Sequence, residues 1–355
     1  MLCGMSRRRG EAQFERTAGG RALGGRGRSR RARVRRRRLL AAAAVPLVAV
    51  LAWQLSSSAG GVNPPTPKTS KAALTRPDGA TAASHPPAAR VAAAPHVSVS
   101  PTPVSAPTWT TVARVHGRPG AWLEQAGGVT LMRFDQRYVH LALHAGSQDG
   151  GLAGWTYGDQ ITRREIHLVL AGFNGGFKLT YSNVGFESAG RVAVPLKARL
   201  ASIVTYTDGT TNIGAWLEGV PTRRKKVYSV LQNQRLLVDR GVAAANVSSC
   251  VIVCWGSTIQ DLTVVARSAL GVTADGQLVW AAGEQLSPAQ LADSLVAAGV
   301  VRAVELDINP DWVAGYLYAH HATGPVAVPV VPGQRGIAGQ LLAPDARDFM
   351  TIVAN

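Results

Sequence analysis

Residues 267–308 read RSALGVTADGQLVWAAGEQLSPAQLADSLVAAGVVRAVELDI, and this stretch decides the fold class. Ser268 to Thr273 and Gln277 to Ala282 are strand-length runs flanking Asp275-Gly276, which predicts a hairpin with a type I′ turn. Ser287-Pro288-Ala289-Gln290 supplies an N-cap, a proline at the first helical position and a capping-box partner, and Gly299 is the stop. Val300 to Ile308 follows as a short apolar strand. Hairpin, helix and strand in succession predict an α+β fold, strand-rich, with mixed but largely antiparallel sheets and a few packed helices.

Outward from this stretch the pattern stays strand-rich over 108–355. Tyr138 to Leu143 and Glu165 to Phe173 read as strands, and Ala201 to Tyr206 with Thr211 to Trp216 flank a second Asp-Gly pair, Asp208-Gly209. Cys250 and Cys254 would lie too far apart to bridge on a flat strand, so a disulfide there requires a bend. Three cysteines in 355 residues exclude a disulfide framework or a zinc-ribbon array.

The net charge of +17 is not spread over this domain. Residues 1–38 hold 14 Arg against 2 Glu, a net of +12, and 60–107 adds +3, leaving +2 for the remainder. A nearly neutral domain lacks the electrostatic footprint of a specific nucleic-acid binder. Arg outnumbers Lys 32 to 6 beside abundant Ala, Gly and Val, which points to GC-rich coding and a bacterial source.

Between the basic tail and the domain, Leu39 to Leu55 (LLAAAAVPLVAVLAWQL) carries no charge, and the Arg excess before it predicts a cytoplasmic N-terminus. The segment 39–57 reads as a signal anchor through 39–55, or as a signal peptide cleaved near Ala59. The anchor reading gives a single-pass cell-membrane protein with its C-terminal domain outside. Residues 58–107 read as a disordered linker, since 60–107 holds ten of the 20 prolines and no Phe, Trp or Tyr.

Within the domain, the two-residue period of Val301 to Ile308 puts Glu305 and Asp307 on one face, an arrangement suited to a general acid and a base. The alternative is that Glu305 pairs with a structural Arg and Asp307 caps the turn at Asn309-Pro310. A buried strand ends in Asn174-Gly175-Gly176, where glycines let backbone approach a ligand and Asn donates to hydroxyls. Arg267 at a strand end suits bidentate phosphate binding, or else a salt bridge. His140 and His144 sit roughly 13 Å apart by strand rise, too far to share a metal, so neither a metal nor another cofactor is expected.

FNGGFK at 173–178, Arg267-Ser268-Ala269-Leu270-Gly271 with its Asp-Gly hairpin, the helix after Ser287, and Glu305-Leu306-Asp307 together resemble the phosphodiester glycosidase family. The resemblance spans 108–355. His144-Ala145-Gly146-Ser147, Gln232-Asn233 with Leu236-Leu237-Val238-Asp239, and Arg347-Asp348-Phe349 look like a bacterial branch of it. It implies an outward-facing hydrolase of glycosyl phosphodiester bonds on cell-envelope glycans. Asp307 and Glu305 would be catalytic, with Asn174, Gly175, Gly176, Arg267 and His144 holding a carbohydrate or glycosyl-phosphate substrate. Ile308-Asn309-Pro310 stands where the family carries glycines, which leaves open a noncatalytic glycan-binding or scaffold module with Trp312 and Trp155 as sugar platforms.

Overall fold

The computed structural model describes residues 105–150, 154–336 and 341–355. The tail 1–38, the apolar segment 39–57 and the linker up to residue 104 lie outside the described residues, and so does the anchor expected at 39–55. Among the described residues no helix is long and apolar enough to cross a membrane. All of the described residues belong to one unit, Pro95–Asn355.

Eighteen strands among the described residues form three sheets in which every paired neighbour is antiparallel. The largest sheet contains β1 (Thr110–Val115), β2 (Arg118–Ala126), β3 (Val129–Phe134), β11 (Leu236–Asp239), β12 (Val242–Ala243), β13 (Val265–Thr273), β14 (Leu278–Leu286) and β15 (Val300–Glu305). They run in the order β1-β2-β3-β14-β13-β15-β11-β12. A second sheet holds β4 (Val139–His144), β5 (Val169–Asn174), β16 (Gly315–His321), β17 (Gly324–Pro329) and β18 (Phe349–Ala354), ordered β17-β16-β5-β18-β4. The third holds β6 (Phe186–Ser188), β7 (Arg191–Val194), β8 (Ala201–Tyr206), β9 (Thr211–Ala215) and β10 (Val227–Gln232), ordered β7-β6-β10-β8-β9. Three short helices complete the fold: α1 (Leu179–Ser182), α2 (Val251–Trp255) and α3 (Pro288–Ala297).

The period of two divides the central strands between two cores. In β14, Leu278, Trp280 and Ala282 enter the main core, which also takes Phe134, Phe173, Phe186, Leu231 and Met350 from all three sheets. Val279 and Ala281 face the other way, onto Leu291 and Leu295 of α3. The same alternation in β13 sends Ala266, Leu270 and Val272 inward and Ala269 toward α3. Arg267 therefore shares the α3 side, while Ser268 shares the main-core side.

Three readings of the sequence need correction. Asp275-Gly276 closes its hairpin, yet only Gly276 has positive φ (+82°). Gly276 N–H donates to Thr273 O at 3.0 Å and Thr273 N–H donates to Gln277 O at 2.9 Å. This is a three-residue loop, a type I turn followed by a bulge glycine, because Asp275 keeps an ordinary φ. Strand β5 begins at Val169 rather than Glu165, since Glu165 and Ile166 fold back onto Thr162 O. Strand β15 ends at Glu305 rather than Ile308, because the Asp307 carboxylate captures the next two backbone N–H groups. The bend required at Cys250 and Cys254 is α2, whose turn brings the two Cα atoms to 5.4 Å in a disulfide.

The cap of α3 is present in full: Ser287 accepts from Gln290 N–H, and the Gln290 side chain accepts from Ser287 N–H. Ser287→Ala removes the first bond, with an expected cost of about 1 kcal/mol. In a domain of this size that lowers the thermal midpoint by about 2–4 °C, measurable by differential scanning calorimetry.

Candidate active site

Three chain segments converge at the ends of β5, β15 and β18. Strand β18 pairs with β5 so that Phe349 opposes Asn174, which brings the residues before β18 against the Asn174-Gly175-Gly176 turn. Gly175 N–H donates to Asp348 O at 2.9 Å, and Gly176 N–H donates to Asp348 Oδ2 at 2.9 Å. A Cβ at position 175 would collide with the Asp348 carboxylate. The glycine at 175 thus admits a protein carboxylate, whereas at 176 a Cβ would meet only ordinary contact with Leu231 at 3.7 Å.

Arg347 occupies the centre. Its Nε donates to Asp149 Oδ2, and its Nη2 donates to Gly176 O at 2.8 Å and to Asp307 Oδ2 at 3.0 Å. Its guanidinium lies 5.1 Å from the centre of the Trp312 ring. Among the described residues Nη1 has no hydrogen-bond partner, so this cation keeps free donors. Asp307 Oδ1 accepts from Ile308 N–H at 2.7 Å and Asn309 N–H at 2.9 Å. One carboxylate therefore caps the turn after β15 and lines the cleft.

Asn174, Gly175, Gly176, Asp307, Trp312, Arg347 and Asp348 all line this cleft, which holds only about 30 Å³ of open space. That is room for a water molecule. Asn174 is held by the protein, its Nδ2 donating to Ser268 Oγ and to Gly175 O, each at 2.9 Å. Both amide hydrogens that were expected to orient a sugar are thereby engaged.

Arg267 and Glu305 are not in the cleft. Both are on the α3 side of their strands, and Arg267 Nη1 donates to Glu305 Oε1 at 2.6 Å. Further bonds from Arg267 reach Leu286 O and Trp255 O, each at 3.0 Å, and leave the guanidinium fully buried. This is the structural-Arg alternative. Asp307 separates from Glu305 because β15 ends between them and the alternation lapses.

His144 also lies elsewhere, in the core between the rings of Phe349 at 4.2 Å and Tyr157 at 5.2 Å. Its Nε2 is 3.0 Å from Glu165 Oε1. Burial pulls the Glu165 carboxyl up, but the bonds from His144 and Thr162 outweigh it and hold it at about 2. Trp155, the second sugar platform expected, packs edge-on against Phe186 and donates from Nε1 to Gly150 O, away from the cleft. Trp312 is at the cleft. Among the described residues no group of His, Cys, Asp or Glu is arranged to hold a metal ion.

Arg347, Asp348 and Asp149 were not singled out as site residues in the sequence. The available signal was Asp345-Ala346-Arg347-Asp348, three ionisable residues directly before the apolar run Phe349 to Val353. Charges entering a fully buried strand must find partners inside the protein.

The carboxyls here titrate unusually. Burial pushes Asp348 up to about 7, with the Asp149 charge adding to the effect and Arg347 opposing it. Its Oδ1 is buried with no hydrogen-bond partner among the described residues. Burial also raises Asp307, against Arg347 and the two backbone N–H groups that favour its charged form. Burial likewise lifts Glu305 to about 7 despite Arg267.

No protein-family model and no curated protein sequence matches the chain. Among solved structures, the catalytic domain of zebrafish N-acetylglucosamine-1-phosphodiester alpha-N-acetylglucosaminidase, auto-inhibited by its pro-peptide, is similar at 15% identity and TM-score 0.42. That similarity covers 73% of this chain and 85% of that one. A hypothetical protein from Synechocystis is similar at 12% identity and TM-score 0.40, over 70% of this chain and 64% of that one. A protein described as exported, from Burkholderia pseudomallei, is similar at 12% identity and TM-score 0.33, over 66% of this chain and 75% of that one. The likeness is distant, and the chemistry of the cleft rests on its own residues.

Two stability measurements separate the two arginine centres. Arg267→Met removes the hydrogen bonds of a fully buried guanidinium and leaves Glu305 buried without its counter-charge, and a loss of about 3–5 kcal/mol is expected in denaturant unfolding. Asp348 behaves in the opposite sense. Its raised pKa contributes stability that is present below the ordinary Asp value and lost as pH rises through about 7. Asp348→Asn keeps an acceptor for Gly176 N–H and cannot ionise, so its melting temperature should exceed the wild type's at pH 8 and match it near pH 4.

Proposed function

We propose that the chain is a divergent phosphodiester glycosidase that hydrolyses a glycosyl phosphate ester at the Asp307, Arg347 and Asp348 cleft. The observation that carries this reading is Asp348, a cleft carboxyl with a free buried oxygen and a pKa near 7, beside a guanidinium with free donors. Carboxylates in the cleft oppose the positive charge that develops at an anomeric carbon. Arg347 Nη1 and the exposed Arg335 supply donors for phosphate oxygens at the mouth.

The small open space of the cleft takes the attacking water, and the sugar rests outside it on the exposed edge of Trp312. The oxygen of that water bonds to the anomeric carbon while its proton passes to the Asp348 carboxylate. The bond from the anomeric carbon to the phosphate oxygen breaks, and its electron pair leaves on the phosphate. The products are free sugar and a phosphate monoester. Phosphate needs no acid to depart, so one base suffices. The Cys250–Cys254 disulfide supports an oxidising compartment and hence a domain held outside the membrane by the expected anchor 39–55.

A noncatalytic glycan-binding module is the second reading, favoured by the satisfied side chain of Asn174 and the small open space of the cleft. Release of reducing sugar from glycosyl alkyl phosphodiesters distinguishes the two. A base with a pKa near 7 makes kcat/KM rise with pH and level off above about pH 7, and Asp348→Asn should lower kcat at least 100-fold with its fold intact. Absence of turnover on any such ester, together with measurable glycan binding, favours the module.

A reporter fused after Asn355 should be active outside the membrane, and the full chain should sediment with membranes. A soluble chain beginning near Gly60 would instead establish cleavage.

A further inference from the structure

Beside the cleft runs a second and larger depression of about 650 Å³. The two share Asp311, and Ile308 in the groove directly follows Asp307 in the cleft. One side of the groove carries Leu262 and Val264, which are 51% and 44% exposed. Large aliphatic side chains facing water next to a reactive site cost solvation that a ligand recovers by covering them.

Ile308-Asn309-Pro310, the segment that stands where the resemblance expects glycines, also lines the groove. It is held in place from two directions. Asp307 Oδ1 accepts from the backbone N–H groups of Ile308 and Asn309, at 2.7 and 2.9 Å. The Ile308 side chain packs onto Gly256, where a Cβ would overlap its Cδ1, and Gly256 ends the disulfide-stapled α2. Ile308 is therefore anchored with only 9% of its surface exposed, and Pro310 beside it is half-buried.

Polar side chains also line the groove, among them Ser257, Thr258, Glu284 and Gln285, so its hydrocarbon is confined to a strip through Leu262, Val264 and Pro310. Glu284 has an Oε1 that is buried without a hydrogen-bond partner among the described residues, and burial raises its carboxyl against the pull of Arg335. Arg335 and Asp311 stand at the boundary with the cleft, their charged ends 3.9 Å apart. An apolar strip with a cation at the end nearest the cleft fits a phosphate that carries a hydrocarbon chain.

We infer that this groove is the leaving-group subsite, and that the ester cleaved is one between a sugar and a long-chain alkyl phosphate. The inference rests on the hydrolase reading, and it extends that reading to the substrate's other half. The phosphate lies between Arg347 and Arg335, and the chain runs along the exposed Leu262 and Val264 with Pro310.

The test uses the full chain in lipid nanodiscs and the product side of the reaction, so that binding is read without turnover. Methyl, butyl and octyl phosphate are titrated calorimetrically. Affinity should rise about threefold to fourfold per methylene until the groove is filled, as expected for about 0.8 kcal/mol per buried CH₂. The double variant Leu262→Ser, Val264→Ser, at two exposed positions outside the cleft, should flatten that dependence. It should leave the melting temperature unchanged.

Equal affinity for methyl and octyl phosphate overturns the inference, and so does a chain-length dependence that the double variant retains, which marks partition into the lipid. Chain-length-dependent binding without turnover of any ester sinks the hydrolase reading and leaves an alkyl phosphate site. Turnover with kcat/KM indifferent to chain length does the reverse.

Discussion

The arrangement of the cleft depends on one buried guanidinium. Arg347 reaches Asp149, the carbonyl of Gly176 and Asp307 at once, tying together the loop after β4, the turn after β5 and the exit from β15. A buried charge is tolerable only when its partners are close and well aligned. Burial pulls the Arg347 pKa down, and the charges of Asp307, Asp348 and Asp149 more than restore it. The carboxyls that line the cleft are thus the ones that hold it together, so the proposed chemistry and local stability draw on the same atoms.

A second buried arginine shows how position decides the role of identical chemistry. Arg267 and Glu305 form a close ion pair at 2.6 Å, yet they lie across the sheet from the cleft, against the carbonyls of Leu286 and Trp255. Ser268, one residue along, faces the cleft side, receives Asn174 Nδ2 and donates its N–H to Asp307 O. A shift of one residue along a strand exchanges a structural centre for a site neighbour.

The segment 308–310 shows a similar division of roles. Ile308 and Pro310 restrict the backbone after Asp307 and contribute hydrocarbon to the neighbouring groove. Asp307 still orders the backbone there, since its Oδ1 accepts from the next two N–H groups whatever side chains those residues carry. One side chain thus fixes the backbone geometry, while its neighbours set the surface chemistry beside it.

Sequence alone determined what local chemistry controls: the two Asp-Gly hairpins, the capped helix from Pro288 to Gly299, the strand-rich α+β class and the confinement of positive charge to the N-terminal tail. Each follows from residues within a few positions of one another, through turn preference, capping and periodicity. It also offered both fates of the Glu305 and Asp307 pair without choosing between them. The tertiary structure chose, because the choice rests on where β15 stops and on which distant cation each carboxylate meets, Arg267 for one and Arg347 for the other. Arg347, 40 residues from Asp307, reaches it only because β18 inserts beside β5, and no local pattern encodes that long-range pairing.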